Sequence, residues 1–311
     1  MKGGNRKFCR SGVLHVYQRA LDKGIIFYTA IDRLVYLSIA SVESRKLGVR
    51  ILAMAIMFSH IHQSCASDSK EVISKYIQDT SSIFARMHNN EYGQHGSLFA
   101  RPFGSSLKRT AKEIRSNLAY VNNNHTEKGL CTNAVEARWN LLAYRRDRHP
   151  FSKPVERQAS NALTQAISWI NAAASKNKYL TYKLLHKAFK GLSDQEQEQL
   201  IDYIISSYPV VDYESAEGFF GGFEQMLTAF DSNTGNEYAL REEYTSAPDI
   251  AYVQLTSFAA KRSLINVENP PLLRLPLEKR YQIARDCFEK TAARKFQICK
   301  FLHLPDSTEN T

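Results

Sequence analysis

The chain has 311 residues and a formal net charge of +10, with 41 Lys and Arg against 31 Asp and Glu. This length allows two domains that each bury a core, and the sequence has no apolar run as long as a membrane span. The first residues lack the apolar core of a signal peptide, and the five cysteines are scattered without a zinc-type pair. We therefore expect a soluble cytoplasmic protein with reduced thiols and no membrane partner.

The positive charge is concentrated in the first half. Residues 1–150 contain 23 Lys and Arg against 11 Asp and Glu, which leaves 18 against 20 for the rest. Such an excess usually supports binding to a phosphate backbone, although charge alone does not separate DNA, RNA and an anionic membrane. Residues 194–249, by contrast, contain thirteen acidic residues and one base, Arg241. We interpret that stretch as a solvated helical surface; the alternative is a brace that occupies the basic half.

The first half alternates between strand-like and helix-like segments. Branched and aromatic residues predict four strands: Val13–Arg19, Val49–Met57, His60–Ser64 and Leu98–Phe103. Apolar residues at three- and four-residue spacing predict three helices: Thr29–Leu47, Lys70–Asn89 and Lys108–Asn123, the last with Ser105 or Ser106 as its N-cap. This order suits an antiparallel sheet with helices packed on one face.

The second half is predicted to be mostly helical. Two prolines among the small polar residues 149–154 break regular structure, which places a linker at 149–158 between a domain at 1–148 and a helical domain at 159–311. Helix-like spacing then covers five segments: Asn161–Ser175, Tyr182–Gly191, Ser193–Tyr208, Ala216–Phe230 and Ala251–Leu264. Gly191 is expected to end one helix, and a capping box from Ser193 to Glu196 is expected to open the next.

Two short patterns carry the candidate chemistry. His60 and His62 are two apart on a predicted strand, so both side chains point to the same face, as a pair of metal ligands would. A helix through Ala111–Asn124 would place Tyr120 and Asn124 on one face, a phenol nucleophile beside an amide oxygen ligand. Two imidazoles and an amide oxygen leave coordination positions open, which suits Mg²⁺ or Mn²⁺ bound together with phosphate oxygens.

These patterns resemble the single-tyrosine HUH nucleases, specifically the REP-associated and insertion-sequence tyrosine transposases. The family's "LMPNHVHLL" compares with AIMFSHIHQSC here, and its "YIHLNPVRAGLV" compares with YVNNNHTEKGLC. Between them, "G-x-L-F-Q-x-R-F" compares with GSLFARPF at 96–103, and the later "W-S-S-Y" segment compares with the stretch from Trp139 to Tyr144. The resemblance covers residues 8–148. Ser59, His125 and Glu127 depart from the family pattern, which leaves room for a weakened enzyme.

The resemblance implies a ferredoxin-like antiparallel sheet with the histidines on a central strand and the tyrosine on a helix lying across it. It implies a transposase that cleaves single-stranded or hairpin DNA through a 5′-phosphotyrosine, with Tyr120 as the nucleophile. His60, His62 and Asn124 would bind Mg²⁺ or Mn²⁺. Basic residues chosen by position as DNA contacts are Arg19, Arg101, Lys108 and Arg109. A bacterial, nucleoid-associated protein is expected, and a homodimer is allowed for.

The remaining features leave other interpretations open. We interpret His15, His88, His95, His125 and His149 as surface or structural residues. Residues 261–300 are basic and resemble the opening helices of helix-turn-helix tails, but a packing pair of helices explains them equally well. A non-catalytic protein that binds hairpin DNA or RNA is therefore the alternative to an enzyme, and a helical regulator is a third interpretation.

Overall fold

A four-stranded antiparallel sheet forms the first half of the computed structural model, which describes residues 8–21, 24–100, 103–156, 159–232, 249–265 and 272–305. The elements follow in the order β1 (Val13–Arg19), α1 (Ala30–Leu47), β2 (Arg50–Ile56), β3 (His60–Ala66), α2 (Lys70–Tyr92), β4 (Gly104–Lys108) and α3 (Ala111–Glu127). The strands lie side by side in the order β2-β3-β1-β4. This is the ferredoxin-like arrangement, which confirms the predicted fold class and places the histidine strand in the centre of the sheet.

The two faces of the sheet are covered by different helices. Gln63 of β3 donates to the hydroxyl of Tyr36 in α1 at 2.8 Å and accepts from Tyr76 of α2 at 2.8 Å. The next residue, Ser64, donates to Asn117 of α3 at 2.7 Å. Because neighbouring residues on a strand point to opposite faces, α1 and α2 cover one face and α3 covers the other. The expectation that the helices pack on one face of the sheet therefore holds for α1 and α2 but not for α3.

The third helix begins later than the sequence predicted. Its N-cap is Thr110, which forms a capping box with Glu113, and not Ser105 or Ser106. Those two serines belong to β4, so the predicted start of the helix at Lys108 was wrong. Of the strand predicted over Leu98–Phe103, residues 98–100 and 103 lie outside the strands, and 101–102 lie outside the described residues. The largely apolar composition of Leu98–Phe103 favoured a strand there. The strand that pairs with β1 is instead the polar segment that follows.

The second half consists of eight further α-helices within the described residues: α4 (Asn161–Ala174), α5 (Tyr182–Phe189), α6 (Asp194–Ser207), α7 (Tyr213–Gly218), α8 (Phe223–Asp231), α9 (Ile250–Lys261), α10 (Leu277–Lys290) and α11 (Lys295–Leu302). The predicted capping box of Ser193 and Glu196 is present. The predicted helix Ala216–Phe230 is two helices, because Gly221 and Gly222 have φ angles of 85° and 139° and break the helical path.

Apolar contacts join the two halves. α4, α5 and α6 share a buried cluster with α1, α7 and α8 share one with α3, and α9 to α11 share one with Tyr28 and Phe58. The boundaries 1–148, 149–158 and 159–311 stay a prediction, but these clusters show that the helices are packed on the sheet. The basic terminal segment takes part in this packing, since Phe301 of α11 is fully buried and its carbonyl accepts from the Tyr28 hydroxyl at 2.8 Å.

A buried carboxylate also ties the halves together. Asp32 in α1 has no exposed surface and accepts from the hydroxyls of Tyr92 at 3.0 Å and of Tyr182, in α5, at 2.8 Å. The backbone amides of Tyr28 and Thr29 donate to the same carboxylate. Burial raises the pKa of Asp32. These donors, together with the Thr29 hydroxyl at 3.0 Å, partly compensate the loss of water around this group.

The acidic helices pair with arginines that follow α3. Arg138 lies 2.5 Å from Glu198 and 3.2 Å from Asp202, and Arg145 lies 2.8 Å from Glu217. These carboxylates belong to α6 and α7. Such contacts are what a brace on the basic half would require. Among the described residues, no helix is both long and apolar enough to cross a membrane.

Candidate functional site

The nucleophile candidate and the histidine strand meet on the α3 face of the sheet. Tyr120 packs its ring edge against two imidazoles, those of His15 and His62, with ring centroids 5.5 Å away in both cases. His15 pairs across strands with Ser64, and His62 pairs with Tyr17, so all four point toward α3. The strand and the helix therefore lie together, in the arrangement that the family resemblance implies.

The histidines form a connected group. His15 Nε2 lies 3.0 Å from His62 Nδ1, and both rings are fully buried. The His60 and His62 ring centroids are 4.9 Å apart, and His60 Nδ1 lies 3.0 Å from the Ser59 hydroxyl. Burial, with a further contribution from His15, holds the pKa of His62 well below its usual value. His62 is therefore neutral at pH 7, which is the state that can bind a metal.

Hydrogen bonds fix α3 over the sheet. Ser64 donates to Asn117 at 2.7 Å, one helical turn before Tyr120. Asn124, one turn after Tyr120, donates its side-chain amide to the Tyr120 carbonyl at 2.9 Å. On the far side, Asn123 donates to the carbonyl of Phe230 in α8 at 2.9 Å. These contacts set the rotation of the helix and hence the face that carries Tyr120.

An aromatic side chain borders the histidines. The Tyr17 ring lies 6.4 Å from the His62 ring and fills the space that a side chain at Gly104 would occupy on the neighbouring strand. Arg19 lies above Tyr17, with its guanidinium carbon 5.4 Å from the ring centroid. Tyr17 and Arg19 are both partly exposed. A half-exposed ring beside a cation is a surface on which a nucleobase can stack.

The predicted DNA contacts are not all in one place. Arg19 is opposite His60 in the register of β1 and β3, so it lies at the site. Lys108 is opposite Val13 at the other end of β1, and Arg109 follows it there, so the structure does not bring these two to the histidines. Partial burial lowers the pKa of Lys108. The fourth residue, Arg101, lies outside the described residues.

Metal binding stays a prediction. Among the described residues, no group of three or more His, Cys, Asp or Glu side chains is arranged to hold a metal ion. The predicted ligands are two histidines and an amide, a set of a different kind. His62 is neutral, as a histidine that binds a metal must be. Its Nδ1 faces His15, so His15 is placed to orient the His62 ring.

Sequence reasoning missed several residues of this site. His15 was interpreted as surface or structural; it is buried and contacts both His62 and Tyr120. Its alternation with Tyr17 on β1 was visible, but which strand pairs with β3 was not. Ser64 and Asn117 were missed for the same reason, because their contact depends on how α3 lies across the sheet.

Comparisons with known proteins add little. No protein-family model matches the chain, and no curated protein matches it. Among solved structures, the chain is similar to a REP-associated tyrosine transposase bound to a REP hairpin, with 15% identity over 45% of this chain and 81% of that one. The TM-score is 0.38. At that similarity the comparison assigns no role to any residue.

Proposed function

We propose that the chain is a metal-dependent endonuclease and strand transferase of the transposase type, which cleaves single-stranded or hairpin DNA. The observation that carries the proposal is the contact of Tyr120 with His15 and His62 on the sheet. A pair of histidines that occurs on a strand by chance is not expected to contact a tyrosine from a separate helix. The net positive charge of residues 1–150 supports a phosphate-rich substrate.

Tyr120 would supply the nucleophile. Its hydroxyl would lose a proton and the oxygen would attack the scissile phosphorus in line, while the bond from phosphorus to the 3′ oxygen breaks. The products are a 5′-phosphotyrosine and a free 3′ hydroxyl. Because the new bond keeps the energy of the phosphodiester, a second 3′ hydroxyl can reverse the reaction, and strand transfer needs no ATP.

His60, His62 and Asn124 would hold Mg²⁺ or Mn²⁺. In both histidines Nδ1 faces a neighbouring polar group, Ser59 or His15, so Nε2 is the nitrogen suited to the metal. The bound cation would neutralise charge on the scissile phosphate. The Asn124 amide nitrogen donates to the helix backbone, so its oxygen is the atom that would bind the cation.

Covalent trapping tests the proposal. The full chain is incubated with single-stranded hairpin DNA and Mn²⁺, and a denaturant-resistant protein–DNA adduct is expected. Tyr120→Phe should form no adduct while it keeps hairpin binding, since it removes one hydroxyl and no charge. The matched control is Tyr281→Phe, which changes an exposed tyrosine on α10. An adduct that persists in Tyr120→Phe would reject the assignment.

A non-catalytic hairpin DNA or RNA binder is the second candidate. It is favoured by burial, because His62 has no exposed surface and Tyr120 is only 7% exposed. The two candidates differ in metal dependence. Calorimetry should detect Mn²⁺ binding that is lost in His60→Ala and in His62→Ala if the enzyme is correct. Hairpin binding without Mn²⁺ binding or adduct formation would favour the binder.

A further inference from the structure

A cavity lies beside the site formed by the histidines and Tyr120. It has a volume of about 230 Å³ and lies between the turn that joins β2 to β3, the C-terminal end of α3 and the segment 136–139. Four of its lining side chains matter here: Arg33, Phe58, His125 and Trp139. Phe58 precedes His60 by two residues and His125 follows Asn124 directly, so the cavity adjoins the proposed metal ligands.

Arg33 brings a buried charge and an unused donor to this cavity. It is 7% exposed, its Nη1 donates to the Thr29 carbonyl at 3.2 Å, and its Nε has no hydrogen-bond partner. Among the described residues, no carboxylate lies within ion-pair distance of it. The guanidinium instead lies 4.8 Å from the Phe58 ring and 5.4 Å from the Trp139 ring. A buried cation with an unused donor is costly, and a ligand with acceptor atoms would relieve that cost.

His125 adds a second unused polar atom. Its Nδ1 is buried without a hydrogen-bond partner. An imidazole nitrogen can donate or accept a hydrogen bond, according to the tautomer. The lining of the cavity therefore includes the guanidinium of Arg33 and an imidazole with unused hydrogen-bonding capacity.

We propose that this cavity receives one unstacked nucleobase of the DNA, next to the scissile phosphate. This inference rests on the proposed function. The edge of a base carries acceptors and N–H donors side by side, so it can bond to both Arg33 and His125. Its ring can also contact Trp139 and Phe58, which a phosphate cannot use, and a volume of about 230 Å³ suits a single base.

Fluorescence of Trp139 provides a direct test. The chain has two tryptophans, so Trp169→Phe leaves Trp139 as the reporter in the cavity. The probes are the four 5′-deoxynucleoside monophosphates, with deoxyribose 5-phosphate as the control that lacks a base. We expect saturable quenching by at least one nucleotide, with about tenfold tighter binding than the control. Equal responses to nucleotide and control would indicate an anion site and overturn the proposal, as would no response from the folded protein.

Variants of Arg33 complete the test. Arg33→Met should abolish the nucleotide response, because it removes the guanidinium but keeps an unbranched chain that packs against the aromatic rings. The melting temperature of the variant shows whether it is folded. If that variant fails to fold, Arg33→Lys keeps the charge but loses the forked donors, and it should still weaken binding. Arg50→Met is the matched control, at the far end of β2 from Ile56. Full nucleotide binding by folded Arg33→Met or Arg33→Lys would overturn the proposal.

This test is separate from the one for cleavage. Free nucleotides report on the cavity whether or not Tyr120 reacts. Saturable nucleotide binding without any covalent adduct would support base binding in the cavity and reject the proposed cleavage activity. An adduct without nucleotide binding would support the cleavage activity and reject base binding in the cavity.

Discussion

Buried neutral histidines should make this protein sensitive to acid. His88 is fully buried in α2 and its Nε2 lies 3.0 Å from the Ile26 carbonyl. Burial lowers the pKa of His88 to about 3, and burial next to Arg33 lowers the pKa of His125 to about 3. Both rings therefore stay neutral in the folded protein over a range of pH in which the unfolded chain takes up protons.

The sign and the size of the effect follow from proton linkage. An unfolded histidine titrates near pH 6.5, so stability is lost as the pH falls below that value and continues to be lost until about pH 3, where the folded rings titrate. At pH 5 the loss is about 2 kcal/mol for each residue, or about 4 kcal/mol for the two. That is a large part of the stability of a typical domain.

Urea unfolding of wild type and His88→Gln at pH 7 and pH 5 measures this effect. Glutamine can still donate to the Ile26 carbonyl but does not titrate, so the variant should lose about 2 kcal/mol less than wild type between the two pH values. His95→Gln is the control, because His95 is exposed. An equal loss in wild type and His88→Gln would refute the reasoning.

Three further predictions concern stability. Burial raises the pKa of Asp249 to about 6, so above that pH the folded protein carries a buried ionised carboxylate at a cost in stability. Asp249→Asn should therefore raise the free energy of unfolding at pH 8 by up to about 3 kcal/mol, and the gain should vanish by about pH 3. Tyr182→Phe removes a donor from the buried Asp32 carboxylate and should cost about 1.5–3 kcal/mol in thermal or urea unfolding; no loss would mean that the other donors suffice. Gly104→Ala places a methyl group in the Tyr17 ring and should destabilise by about 1–3 kcal/mol, with the cost relieved when Tyr17→Ala is added; additive effects would exclude the contact.

The order of elements in the sheet domain could be predicted because its periodic patterns are strong. β1 was predicted with its observed bounds, and α1 and α2 were predicted at nearly full length. The polar strand β4 could not be predicted, since Gly104 and two serines have low strand preference. It forms because its backbone completes the ladder with β1 and because the Tyr17 ring covers Gly104.

The site was predictable only where its residues are close in sequence. The pairs His60 with His62 and Tyr120 with Asn124 follow from strand and helix periodicity. His15 joins them through the pairing of β1 with β3, which no local pattern specifies. Arg33 and His125 both line the neighbouring cavity because α1, α3 and the β2–β3 turn pack together there. No pattern in the sequence around either residue predicts that position.

The site of covalent attachment tests the central claim most directly. After incubation with hairpin DNA and Mn²⁺, the protein is digested with nuclease and protease, and the modified peptide is identified by mass spectrometry. The chain has sixteen tyrosines. We predict a nucleotide joined through its 5′ phosphate to Tyr120, in the peptide that also contains Asn124. A nucleotide on another residue, or hairpin binding with no covalent product, would contradict the assignment of Tyr120 as the nucleophile.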